Sequence, residues 1–379
     1  MGGAPSGDYQ ARSTRDSSVN PPPSTNKNQK VIKPTFSNQL LTWWDQHGRK
    51  DLPWQHPRTP YRVWISEIML QQTQVKTVIP YFNKFIDRFP DVHSLASASS
   101  DDVLAYWSGL GYYARARNLL KAARICDEKY QSELPDAPVA LLALPGIGES
   151  TANAIYSQAH DKPAVILDGN VKRVLARYFA VEGWPGKVSI HKHLWNIAGQ
   201  LLPAKRGADY SQAIMDLGAT VCTRTRPDCD QCPVSSDCKA YIANTVEQYP
   251  ARRPRLNVAR KSFQMLILTD RDGNVLLERR PPAGIWGGLW ALPADDTGEP
   301  VQQRMGIIAS ALQPLPSLQH QLTHIKMTIK PLIGLTETTP TGVEYSDNQR
   351  WFGPHEWPGL GLPKPVRQLL ETYLENSKK

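Results

Sequence analysis

Four of the chain's five cysteines fall within seventeen residues, at the spacing Cys222-x6-Cys229-x2-Cys232-x5-Cys238. Thiols clustered in this way are metal ligands more often than a disulfide framework. Four thiolates suit zinc or an iron–sulfur cluster. A single C-x-x-C with unequal outer spacings matches a zinc ribbon poorly, because a ribbon carries two such pairs. The fifth, Cys126 in "KAARICDEK", sits on a helical pattern and reads as a small buried side chain. Two carboxylates stand out by context. Glu67, in "VWISEIML", is flanked by Trp64, Ile65, Ile68 and Met69. Desolvation there should raise its pKa and suit it to act as a general acid near neutral pH; composition alone would favour an exposed helix glutamate. Asp168, in "AVILDGNVKRVLARYF", precedes a helix with Val171, Val174 and Leu175 on one face. It reads as an N-cap, and a helix N-terminus keeps a carboxylate ionised. In "LPGIGEST", Gly146 and Gly148 permit a tight turn with positive φ. The helix starting near Glu149 then offers unpaired N–H groups, a site for a phosphate. An ordinary helix–turn–helix corner would look the same.

These groups need a scaffold. Positions 36–240 carry a mostly helical pattern. In "VWISEIMLQQTQVKTVIPYFNKFIDRF", Ile68, Val75, Ile79, Phe82 and Ile86 fall on one helical face. "DDVLAYWSGLGYYARARNLLKAARI" and "DAPVALLALPGIGESTANAIYSQA" continue it, with glycine breaks. Residues 1–34 are rich in Ser, Pro, Asn and charge without an apolar period, which predicts a disordered tail with no signal-peptide pattern. "NTVEQYPARRPRLNVAR" (244–260) is a basic, proline-containing linker. Beyond it "KSFQMLILTD" and "VLLERR" read as strands joined by an Asp-Gly turn, "HIKMTIKPLIGL" as a further strand, and "KPVRQLLETYLENSKK" as a closing helix. The expected organisation is a mainly α domain over 35–243, holding the cysteine loop 222–238, and an α+β domain over 261–379. A net charge of +9 and a pI near 9.2 favour a polyanionic partner, of which nucleic acid is the commonest. No apolar run is long enough for a membrane-spanning helix.

"LPGIGESTANAI" resembles the helix-hairpin-helix of the endonuclease III superfamily of DNA glycosylases, and the cysteine spacing resembles that superfamily's [4Fe–4S] loop. "PWQ" with "YRVWISEIMLQQTQV", and "LDGNVKRVLAR", are similar to the adenine DNA glycosylases of the MutY type. The resemblance implies a helix-hairpin-helix glycosylase domain with a [4Fe–4S] cluster on Cys222, Cys229, Cys232 and Cys238. It also implies that Glu67 protonates the adenine and Asp168 stabilises the sugar cation. The chemistry agrees: an N-glycosidic bond breaks when a protonated carboxyl assists the leaving base and an ionised one faces the oxocarbenium-like sugar. In the endonuclease III branch a lysine follows the hairpin and attacks C1′. Here that position is Ser150, which cannot form a Schiff base. A monofunctional glycosylase leaving an abasic site is therefore expected, rather than a bifunctional pyrimidine glycosylase and lyase.

The same resemblance places Gly146, Gly148 and Ser150 on DNA. It makes Tyr112 of "GLGYYARAR" and Gln72 of "LQQTQ" wedges that fill the gap left by a flipped base. Arg224 and Arg226, between the first two cysteines, become phosphate contacts. Trp54 and Asp216 would line the adenine pocket. "ERRPPAGIWGGLWALPA" (278–294) resembles the family's Nudix-like C-terminal domain, which recognises 8-oxoguanine. The following "DDTGEPVQQRMG" lacks the glutamate-rich helix that holds magnesium in a working Nudix hydrolase, so this domain should bind and not hydrolyse. The family's recognition loop corresponds to Leu322-Thr323-His324, where Thr323 keeps the hydroxyl, His324 keeps the imidazole and Leu322 replaces an aromatic. The expected partner is double-stranded DNA carrying A:8-oxoguanine or A:G mispairs. The expected setting is a monomer in the bacterial cytoplasm, at the nucleoid and not on a membrane.

Overall fold

A computed structural model of the chain describes residues 35–254, 258–295, 300–305, 312–322, 325–336 and 348–375. The tail and the two recognition residues Thr323 and His324 lie outside the described residues. The first part is helical, as the periodicity requires. In order it comprises α1 (Thr35–His47), α2 (Pro60–Leu70), α3 (Val75–Arg88), α4 (Val92–Ala96), α5 (Ser100–Trp107) and α6 (Ala114–Lys129). There follow α7 (Pro138–Leu142), α8 (Glu149–His160), α9 (Gly169–Tyr178), α10 (Val188–Gln200), α11 (Gly207–Asp216) and α12 (Lys239–Ile242).

The stretch expected to be one helix from Val63 to Phe89 is two. Thr59 caps α2 by accepting from the Arg62 N–H at 3.3 Å, and Pro60 fills its first turn. At Gln72 φ is +59°, so the chain turns before α3 begins. The break rotates the buried stripe. On α3 it runs through Val78, Phe82 and Phe85, while Val75, Ile79 and Ile86 flank it. Cys126 is fully buried in α6, as its helical position predicted.

The second part is a sheet of β1 (Ala259–Thr269), β2 (Val275–Arg279), β3 (Trp290–Ala291), β4 (Gln313–Pro314), β5 (Leu318–Gln321), β6 (Ile325–Leu335) and β7 (Gln349–Phe352). Its helices are α13 (Val301–Arg304) and α14 (Lys364–Leu370). The strand order is β3-β2-β1-β6-β4, with β5 also on β6 and β7 on β2. β1 and β6 pair in parallel from Ala259↔Ile325 to Thr269↔Leu335. The Asp-Gly turn forms as expected: the Asp270 carboxylate accepts the N–H of Asp272 at 3.0 Å and of Asn274 at 2.8 Å.

The two parts share one apolar core, in which Trp107 and Leu110 continue into Leu289, Trp290 and Phe352. Their seam is closely packed. A Cβ on Gly361 would lie 2.9 Å from that of Leu104 in α5. The Arg117 guanidinium donates to the Gly287 carbonyl, and Arg279 pairs with Asp101. No described helix is long and apolar enough to cross a membrane.

Candidate active site

The hairpin is built from α7, α8 and the turn between them. Gly146 has φ +83°, and a Cβ there would come 2.9 Å from Asn118, so two constraints require glycine. Gly148 differs from expectation: its backbone is extended, with φ −92°. No atom lies within 4 Å of where its Cβ would be. Gly148 thus serves as the N-cap of α8 and leaves the approach to its N–H groups open. Ser150 turns inward, its Oγ accepting the Leu167 N–H at 2.9 Å. That bond ties α8 to the residue before Asp168.

Glu67 lies on α2 beside a wall of buried side chains that includes Trp64, Ile68 and Met69. Gln158 of α8 donates to its Oε1 at 2.8 Å. Burial pushes its pKa up to about 7, the Gln158 hydrogen bond opposes this, and the charge of Asp168 adds to it. Asp168 caps α9: its Oδ1 accepts the Val171 N–H at 2.8 Å and its Oδ2 accepts from Asn170 Nδ2 at 3.2 Å. Its pKa does not fall as the helix N-terminus alone suggested. Burial raises it, outweighing the pull of the Val171 and Asn170 backbone N–H groups and of Arg173 and Lys172. The charge of Asp168 acts on Glu67, and both carboxyl groups are raised from their ordinary values.

The wedge candidates occupy two turns held by one arginine. Tyr112 has φ +50° and is 46% exposed, and Gln72 is also exposed with a left-handed backbone. Arg115, buried in α6, donates from Nη1 to the carbonyls of Ile68 (3.0 Å), Met69 (2.7 Å) and Gln71 (2.6 Å). Its Nη2 reaches Thr73 Oγ1 at 3.2 Å and the Gly111 carbonyl at 3.1 Å. The acid's helix and both turns are therefore fixed by a single guanidinium. Sequence reasoning passed over Arg115. Its signal was a cation in register with Leu119, Ala122 and Cys126, on the buried stripe of the helix.

Trp54 and Asp216 are both inside. Trp54 is 2% exposed and meets Phe82 edge-on at 5.4 Å. Asp216, 1% exposed, accepts from Arg49 Nε (2.9 Å) and Nη2 (2.6 Å), from Gln212 Nε2 (2.7 Å) and from Trp44 Nε1 (3.2 Å). In this arrangement Asp216 anchors the half-buried Arg49.

The four cysteines line one cavity, together with Val174, Tyr178 and Leu217. Among the described residues no three His, Cys, Asp or Glu side chains converge closely enough to hold a single metal ion. Four thiols lining one cavity are a donor set that suits an iron–sulfur cluster or zinc. Burial and the neighbouring thiols push Cys232 up to about 12, and Cys229 and Cys238 are raised as well. Such a set becomes thiolate when a cationic group sits among it. Arg177 of α9, 3% exposed, donates to Cys222 Sγ at 3.3 Å and to the carbonyls of Thr223 (2.7 Å) and Tyr249 (3.0 Å). Arg173, one turn earlier, reaches the Cys222 carbonyl at 2.8 Å, the Gly218 carbonyl at 2.5 Å and Asn170 Oδ1 at 2.9 Å. Asn170 bonds Asp168 in turn, so α9 joins the cysteine loop to the Asp168 carboxylate. Arg224 and Arg226 are exposed on that loop.

A family model described as HhH-GPD superfamily base excision DNA repair protein matches residues 65–200, and a NUDIX domain model matches residues 264–372. The solved structure of a thermostable thymine-DNA glycosylase is similar at TM-score 0.51 and 31% identity, over 55% of this chain and 95% of that one. Fold and site together define a base-excision repair glycosylase of the helix-hairpin-helix class with an appended Nudix-type domain. An adenine DNA glycosylase of Buchnera aphidicola subsp. Acyrthosiphon pisum is 38% identical over 91% of this chain and 99% of its own length. One from Mus musculus is 33% identical over 89% of this chain and 78% of its own. The chain belongs to the adenine DNA glycosylase family.

Proposed function

We propose that the chain hydrolyses the N-glycosidic bond of adenine mispaired with 8-oxoguanine or guanine and leaves an abasic site. The observation that carries this reading is the half-buried pair Glu67 and Asp168, with Glu67 pushed up to about 7. At neutral pH much of Glu67 is protonated and can give its proton to a ring nitrogen of the flipped base. Asp168, held by Val171 and Asn170, supplies the negative charge that faces the developing cation at C1′. Water completes the hydrolysis. Ser150 is committed to the Leu167 N–H and offers no amine for a lyase step.

Cys222, Cys229, Cys232 and Cys238 would hold a [4Fe–4S] cluster, which when bound cross-links the loop carrying Arg224 and Arg226. These arginines, the N–H groups at Gly148 and the wedges Tyr112 and Gln72 form the face for double-stranded DNA. Trp54 and Asp216 support the adenine pocket from behind. Thr323 and His324 are our candidates for the 8-oxoguanine contact. The domain limits 35–243 and 261–379 remain our assignment, as do a monomeric state and action in the cytoplasm. The test uses duplexes carrying A:8-oxoguanine or thymine glycol. Strand breaks that need alkali on the first, with none on the second, are expected. Breaks on thymine glycol without alkali would establish a bifunctional pyrimidine enzyme instead.

A further inference from the structure

The wedge turn Ser108–Tyr113 lies on the seam between the two parts of the chain. Inside the helical part it is held by Trp107 Nε1 and Arg115 Nη2, both donating to the Gly111 carbonyl at 3.1 Å, and by Tyr81, whose hydroxyl donates to the Ser108 carbonyl at 3.1 Å. One bond comes from across the seam. The Tyr113 hydroxyl accepts the Gly109 N–H at 3.2 Å and donates to the Leu362 carbonyl of the C-terminal part at 3.3 Å. Leu362 is not an isolated neighbour. The adjacent Gly361 packs on Leu104, and its carbonyl accepts the Trp290 N–H of β3 at 3.3 Å.

A second contact reaches the same helix. Arg117, one turn into α6, donates to the Gly287 carbonyl. Gly287 follows Trp286, whose ring lies 6.1 Å from that of His320 on β5. β5 ends at Gln321, and the Leu322 N–H that follows it donates to the Ile325 carbonyl at 2.9 Å; Thr323 and His324 fall between these two residues in the sequence. The two contacts therefore bear on Tyr113, which immediately precedes α6, and on the first turn of that helix, next to the turn that displays Tyr112.

We propose that Tyr113 is a positioning residue through which the seating of the C-terminal part sets the wedge Tyr112, and thereby the preference for one base opposite adenine over another. The inference rests on the proposed function, since it concerns which mispair is favoured. The Tyr113 hydroxyl touches no reacting atom. Its loss should leave base release itself intact while loosening the turn from the domain that meets the opposite base.

The test is Tyr113→Phe in the full chain, which removes one oxygen and keeps the ring. Single-turnover adenine release is measured on A:8-oxoguanine and A:G duplexes, alongside the thermal midpoint. The ratio of the two rates should fall about five-fold, a change of the size one hydrogen bond contributes. The A:G rate should hold within about two-fold on the same reasoning. Arg117→Ala should move the ratio in the same direction. An unchanged ratio in both variants overturns the proposal, and so does a proportional fall on both duplexes, which is what a merely structural tyrosine would give. A wild-type chain that releases adenine from neither duplex overturns the functional reading and this inference with it, whereas one that treats the two mispairs alike overturns this inference alone; both outcomes are recognised before any variant is made.

Discussion

At the scale of single residues, the informative fact about Glu67 is that its surroundings oppose its charge. Burial holds its pKa near 7, against an ordinary value of 4.5. A general acid must be protonated, so adenine release should decline as pH rises through about 7. Asp168 must be ionised, and burial raises its pKa, so the opposing acid limb should shift upward from that of an ordinary aspartate. A single-turnover pH profile checks both limbs. Stability carries the matching signature. The folded state disfavours ionised Glu67, so a cost absent below about pH 4.5 grows as pH rises and is complete above about 7. Glu67→Gln removes that cost and keeps an acceptor for Gln158. It should abolish base release, retain duplex binding and stabilise the protein at pH 8 by roughly 2 kcal/mol. Denaturant unfolding at pH 8 and pH 4 separates the effect; equal differences at both would refute the pKa assignment.

At the scale of elements, α9 has two jobs set by its two ends. Asp168 caps its start, and Arg177 near its end fastens the cysteine loop. Arg177→Ala would leave several buried carbonyls without a donor, a loss of about 3 kcal/mol. It should lower iron content per chain and thermal stability together; full iron loading at the wild-type midpoint would contradict the role. The turn after α11 presses on the other side. A Cβ on Gly218 would lie 2.6 Å from that of Asn170, the residue bonded to Asp168. Gly218→Ala should shift the first turn of α9 and slow base release at least roughly ten-fold while DNA affinity changes little, since small misplacements of a reacting group are costly. Rate constants beside binding isotherms decide it.

At the scale of the whole molecule, a shared core and a close backbone approach join the helical part to the sheet. Gly361 permits that approach: a Cβ would meet Leu104 at 2.9 Å and its backbone at 3.1 Å. Gly361→Ala should push the seam apart. Arg252, exposed where the helical part ends, would then be cut by trypsin several-fold faster than in the wild type. Unaltered cleavage kinetics would mean that the seam absorbs a methyl group.

The amino-acid order alone determined what is local. Helical periodicity, the Asp-Gly turn, the N-cap role of Asp168 and the cysteine spacing depend on near neighbours, and each was legible without coordinates. A motif match supplied the roles of Glu67 and Asp168, but it could not say what surrounds them. The break at Gln72, the extended backbone of Gly148 and the inward turn of Ser150 were not legible. The first and the last are set by partners far along the chain, Arg115 for the turn and Leu167 for the serine. The same holds for Asp168. Its sequence neighbours argue for a lowered pKa, yet burial by segments distant in sequence reverses the sign. Local order fixed which groups could do the chemistry. Only the tertiary structure decided their protonation, because desolvation depends on everything packed around a charge and not on its neighbours in the chain.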